Sequence, residues 1–180
     1  METFLIPGHV GMCNALRRTL LSDIITEAPG SIDMIRNVTC HTDEFIAHRI
    51  GLIPFRRVGN GNEMTLKAKG PCTVTTAQFV GPAFEPIHDC IEVVKLATDH
   101  ELNLKVTFNA KKASEHARYS PCFAVGMKPS SKEDVHLLSF GSNDHRSPSK
   151  LLDEAFEHLL NRADAALLCL ADDKKIESFI

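Results

Sequence analysis

SPSKLLDEAFEHLLNRADAALLCLA, residues 147–171, reads as one long amphipathic helix. Ser147 is placed to cap its first turn, and Pro148 to occupy the first helical position, where a missing N–H is tolerated. Leu152, Phe156, Leu159, Ala163, Ala166 and Leu170 then recur at steps of three or four residues. Asp153, Glu154 and Glu157 lie near the positive end of the helix dipole, and Lys174 and Lys175 just past its negative end. At 1.5 Å per residue such a helix is about 35 Å long. Leu151, Leu160, Leu167, Leu168 and Cys169 widen the apolar arc beyond what a small sheet needs to cover. The surplus points to an interface with another chain, the alternative being burial wholly within the helix's own domain.

Upstream, the signals are mixed. Residues 4–7 suit a short strand, and Val10, Cys13, Leu16, Leu20 and Ile24 mark one face of a first helix, with Arg17, Arg18 and Asp23 in other sectors. Ala28-Pro29-Gly30 is expected to end that segment, and residues 32–38 to form a ragged strand. A second helix is expected over 43–50, capped by Thr42, with Asp43 and Glu44 in its first turn, Gly51 at its exit and Pro54 just beyond. The Gly- and Asn-rich residues 58–71 read as a surface excursion. Leu102, Leu104, Val106 and Phe108 alternate with polar residues, a period of two that marks a half-buried strand. Residues 90–96 are its expected neighbour across a turn at Asp99-His100, and further strands are expected at 123–127 and 135–140.

With 180 residues, 43% hydrophobic and 24% charged, the chain has the composition of a globular protein of one domain, or of a small domain carrying an insert. A net charge of −3 argues against a free-standing nucleic-acid binder. The longest apolar run, 165–171, falls far short of the roughly 18 residues a membrane span needs. METFLIPGHVG lacks the basic segment of a secretory signal, and the six cysteines are scattered singly, so reduced thiols inside a cell are expected.

Few residues suggest catalysis. Cys40, His41, Asp43, Glu44 and His48 form the most metal-like cluster, yet HExxH and paired cysteines are absent. A metal-dependent hydrolase built on His41, Glu44 and His48 is one competing reading. Neither a GxSxG elbow nor a P-loop is present. A basic stretch at 105–132, carrying Lys105, Lys111, Lys112, Arg118, Lys128 and Lys132 against Glu115, supports another: a homodimeric nucleic-acid binder.

Four segments decide among these readings. NALRRTLLSDI (14–24), DEFIAHRIGLIPF (43–55), KGPCTVTTAQF (69–79) and EHARYSPCFAVG (115–126) resemble, in order and spacing, signature stretches of the alpha-like assembly subunit of multisubunit DNA-directed RNA polymerases. The wording of the second is similar to the archaeal and eukaryotic branch. The resemblance implies an α+β fold with a discontinuous dimerisation domain, a sheet plus two main helices, at 1–37 and 134–180. A mostly β insert domain would occupy 38–133.

It further implies a non-catalytic subunit that pairs with a smaller alpha-like subunit as a heterodimer. This pair is the platform on which the second-largest and largest catalytic subunits assemble, with DNA reached only through the complex. On that reading the partner-subunit interface comprises Leu16, Leu20, Leu152, Phe156, Leu159, Ala163, Leu167 and Leu170. Arg17, Arg18, Glu44, His48, Arg49, His116, Arg118 and Tyr119 fall on the motif positions expected to dock the large subunits. Many members of this branch carry a cysteine cluster in the insert; residues 58–71 stand in its place here without paired cysteines, so no metal or other cofactor is expected. The location implied is the nucleus or cytoplasm. The short insert suggests a streamlined polymerase such as a large DNA virus would carry, which would place the chain in a viral factory or virion.

Overall fold

The computed structural model describes residues 1–171. In chain order the strands are β1 (Glu2–Pro7), β2 (Ile25–Val38), β3 (Phe55–Arg57), β4 (Glu63–Lys69), β5 (Cys72–Thr75), β6 (Phe79–Val80), β7 (Phe84–Pro86), β8 (Glu92–Leu96), β9 (Glu101–Lys112), β10 (Cys122–Pro129) and β11 (Val135–Ser142). The helices are α1 (Val10–Ser22), α2 (Asp43–Gly51) and α3 (Pro148–Ala171). The α+β class expected from the sequence holds. The expected lysines Lys174 and Lys175, and the last part of the 134–180 segment, lie outside the described residues.

The chain divides into two compact units. The first takes Met1–Ile24, Pro121–Ser142 and the segment from Arg146 onward, and is built on an antiparallel sheet of order β1-β11-β10. Phe4 faces Leu138 and Ile6 faces His136 across the β1–β11 ladder. Leu16 and Leu20 of α1 and Leu151, Leu152 and Ala155 of α3 close over Ile6, Leu138 and Phe140 to make its core. Burying each leucine stabilises the unit by about 1.5–3 kcal/mol as an upper estimate.

The second unit, Ile25–Ser120 with Asn143–His145, holds a four-stranded antiparallel sheet of order β2-β9-β4-β6 and two strand pairs, β3-β7 and β5-β8. Met64, Leu66, Leu102, Leu104 and Val106 point from β4 and β9 into one core, onto which Ile46 and Ile50 of α2 pack. Four phenylalanines fill it out: Phe84 stacks on Phe108 at 3.8 Å, while Phe55 meets Phe108 and Phe79 edge-on.

Three expectations need correction. Helix α1 ends at Ser22, where the Asp23 N–H bonds to the Thr19 carbonyl; Ala28-Pro29-Gly30 lies inside β2, which tolerates proline because it is an edge strand. The 58–71 stretch is more than an excursion: its second half is β4, paired with β9 from Glu63↔Thr107 to Lys69↔Glu101. The neighbour of β8 is β5, and β9 lies between β2 and β4. The two compact units divide at 24/25 and 120/121, where β2 pairs along its length with β9 and β10 pairs with β11; the boundaries expected for the dimerisation and insert domains are 37/38 and 133/134.

Candidate subunit-docking surfaces

In the first unit the candidate surface is the distal half of α3. Ser147 Oγ accepts from the Lys150 N–H at 3.3 Å, and Arg146 pairs with Glu154 at 2.6 Å, so the helix start is well fixed. Leu151, Leu152 and Ala155 face the core, and Phe156 and Leu159 pack partly against it. From Leu160 to Leu170 every side chain is exposed, with Leu160, Leu167, Leu168 and Leu170 each between 63% and 72% open to solvent. Contiguous leucines in water are what a partner surface looks like before it is covered.

The interface set read from the sequence therefore separates. Leu16 and Leu20 are 0% and Leu152 7% exposed, and all three pack in the unit's own core. Ala163, Leu167 and Leu170 are exposed, Phe156 and Leu159 lie at the margin, and Leu160 and Leu168 join the exposed set. Periodicity marks one stripe but does not tell which half of a helix the sheet covers.

Beside α3, a groove of about 360 Å³ is lined by Ala15, Arg18, Thr19, Ser22, Asp23, Leu159 and Arg162. Asp23, at the negative end of α1, accepts from Arg162 at 3.5 Å and lies 3.8 Å from His158. Of the arginine pair, Arg17 donates from Nε to Asn14 Oδ1 at 3.0 Å, whereas Arg18 is exposed on the groove.

In the second unit the candidate surface is the outer side of α2. Thr42 caps it as expected, accepting from the Phe45 N–H, and Ile46 and Ile50 turn inward. Glu44, Phe45, His48 and Arg49 remain exposed. Phe45 is stacked by the His41 ring at 4.7 Å and carries the Arg49 guanidinium 5.8 Å from its centroid. Arg49 Nη2 also donates to the Glu92 carbonyl at 2.7 Å. Phe45 was not singled out from the sequence, although its four-residue step to Arg49 is a readable signal.

Arg118 and Tyr119 sit on the short 3-10 turn Ala117–Tyr119, and His116 caps its start. His116 is exposed, and its Nδ1 accepts from both the N–H and Nε of Arg118, at 3.1 and 3.3 Å. Arg118 points inward: Nη1 donates to the Pro29 carbonyl at 2.7 Å and to that of Gly30 at 3.2 Å. Tyr119 is buried.

Against the competing readings, His41 is engaged with Phe45, Asp43 accepts from Asn37, and among the described residues no three His, Cys, Asp or Glu side chains come together to hold a metal. Two of the cations in the basic stretch have local partners, Lys105 with Glu63 and Lys111 with Glu115; the latter contact pushes the Lys111 pKa up and the Glu115 pKa down. Among the described residues no helix is long and apolar enough to cross a membrane.

No protein-family model matches the chain. The curated proteins do: it is 28% identical over 169 residues to the DNA-directed RNA polymerase subunit Rpo3 of Methanocaldococcus jannaschii, covering 91% of this chain and 87% of that protein. The chain is a homologue of Rpo3. Neither unit alone holds 169 residues, so the likeness to Rpo3 runs through both. The Rpo3 proteins of Pyrococcus furiosus and Methanothermobacter thermautotrophicus are each 30% identical, over 135 and 148 residues. The chain spans about half the length of these two, 52% and 56%, with 67% and 69% of its own residues matched.

Proposed function

We propose that this chain is a non-catalytic assembly subunit of a DNA-directed RNA polymerase. It pairs through α3 with a smaller alpha-like subunit, and the pair forms the platform for the second-largest and largest, catalytic subunits. Homology to Rpo3 supports membership of the enzyme, and the observation that carries the assembly role is the row of exposed leucines on α3. Covering Leu160, Leu167, Leu168 and Leu170 at about 1.5–3 kcal/mol each would contribute on the order of 10 kcal/mol to association as an upper estimate. The large subunits are met by Arg18 on α1, by Glu44, His48 and Arg49 on α2, and by His116. Arg17, Arg118 and Tyr119 stand behind them. The chain works with no metal or cofactor of its own, and touches DNA only through the complex.

The test is co-expression with the smaller alpha-like subunit encoded by the same genome. A stable heterodimer is expected, and Leu167→Arg should weaken it about 30-fold, corresponding to a loss of about 2 kcal/mol at a central interface position. Because Leu167 is exposed in the chain, its own thermal unfolding should be unchanged. Undiminished capture of the partner by the variant would refute the assignment of this face.

A further inference from the structure

The Arg118 guanidinium is the meeting point of three segments that are remote in sequence. On one side it bonds to the carbonyls of Pro29 and Gly30. There the β2–β9 register shifts between Pro29 and Ser31, which leaves Gly30 as an extra residue without a register partner on β9. A Cβ on Gly30 would lie 2.3 Å from the Asn109 side-chain nitrogen, so any larger residue there would have to displace that side chain. On another side the guanidinium lies against Gly51, the last residue of α2. A Cβ there would stand 3.2 Å from Arg118 Cζ and 3.4 and 3.5 Å from its terminal nitrogens. The third segment is its own turn, where His116 Nδ1 receives Nε.

This geometry suits arginine for physical reasons. The flat fork reaches two carbonyls of a strand edge while presenting a face to a helix end, which a lysine ammonium cannot do. Its charge sits at the negative end of the α2 dipole. That end is also held by Ile50 and Ile53 in the core, by Arg49 on the Glu92 carbonyl and by the Ile87 N–H on the Pro54 carbonyl, but neither of these hydrogen bonds reaches β2, as those of Arg118 do.

We infer that Arg118 is a positioning residue that clamps the C-terminal end of α2 to the β2 bulge, and so sets the angle at which Phe45, His48 and Arg49 are presented to the second-largest polymerase subunit. The inference rests on the proposed docking role of α2. Gly51 is the matching half of the device, because a Cβ there would press on the guanidinium and make it give by a few tenths of an ångström. On this view the third signature stretch acts through the second.

The experiment uses the full chain co-expressed with the smaller alpha-like subunit and the second-largest subunit of the same genome, with capture of the latter as readout and site-resolved amide exchange alongside. Arg118→Ala should lower capture at least tenfold and speed exchange at Ile50–Ile53, leaving exchange in β9 and pairing with the smaller subunit unchanged. Arg118→Lys should recover only part of the loss, and millimolar methylguanidinium should restore capture by Arg118→Ala. Gly51→Ala, which keeps the arginine but crowds its guanidinium, should weaken capture in the same direction and serves if Arg118→Ala does not fold. Phe45→Ala controls for the docking role itself. If Phe45→Ala abolishes capture while Arg118→Ala and Gly51→Ala leave it intact, the clamp is refuted and the docking role stands. If Phe45→Ala has no effect, the docking role fails and the clamp's purpose with it. Equal acceleration of exchange in β9 and at Ile50–Ile53 would make Arg118 a general stabiliser and overturn the positioning role.

Discussion

The Cys13 thiol lies 3.9 Å from the carbonyls of Ile6 and Gly8 and 3.6 Å from His136 Nδ1, and burial pushes its pKa up from the ordinary thiol value. Cys122 is also buried, whereas Cys40, Cys90 and Cys169 are exposed. Since the thiolate is the reactive form, N-ethylmaleimide at neutral pH should label Cys40, Cys90 and Cys169 within minutes, and Cys13 and Cys122 only when the chain unfolds. Peptide mapping reads this directly. Cys169 offers a second reading, because it lies in the exposed leucine row: adding the smaller partner should protect it and leave Cys40 reactive. At this scale the sequence was half informative. The EHARYSP wording singled out His116, Arg118 and Tyr119, but the partners of Arg118 are backbone carbonyls far upstream, which no side-chain pattern marks.

Helices α2 and α3 were legible because their ends are written in local chemistry: Thr42, Ser147 and Pro148 each act where residue type alone predicts. Removing the hydroxyl that receives the Lys150 N–H, by Ser147→Ala, should lower stability by about 1 kcal/mol in urea unfolding. An unchanged midpoint would mean that the turn closed by Leu151 N–H and the Ser147 carbonyl suffices. Strand β4 was harder to see. Met64, Leu66 and Ala68 do alternate with Glu63, Thr65, Lys67 and Lys69, but the glycines and asparagines of 59–62 place a loop signature directly against them. Strand pairing was misjudged for a related reason. Proximity in sequence suggested β8 beside β9, whereas both hydrogen-bonding edges of β9 are taken by β2 and β4, and alternation marks only its apolar face, not its neighbours.

The first unit is interrupted and the second is nearly continuous, and this difference is kinetic as well as architectural. Every element from β2 to β9 closes its ladders within Ile25–Ser120, while β1 must find β11 across that whole stretch. Long loops close slowly because their entropy is spent before contacts repay it. In refolding of the intact chain, pulsed amide exchange should show protection in β4 and β9 before β1 and β11; simultaneous protection would mean that the two units form one kinetic nucleus. A split arrangement with seams at 37/38 and 133/134 is the expectation from the sequence; the contacts divide the chain 13 residues earlier, since β2 lies wholly in the second unit and β10 wholly in the first, and composition does not change there.

On the ribosome the same interruption becomes a delay. Ile6, Leu16 and Leu20 emerge with the first segment, yet Leu138 and Phe140, which cover them, follow more than a hundred residues later. At about 5–20 residues per second, the nascent N-terminus stays uncovered for on the order of 10 s. A holdase or an early-arriving partner would have to act within that window, so the position of the second unit in the gene sets how long the first unit needs protection.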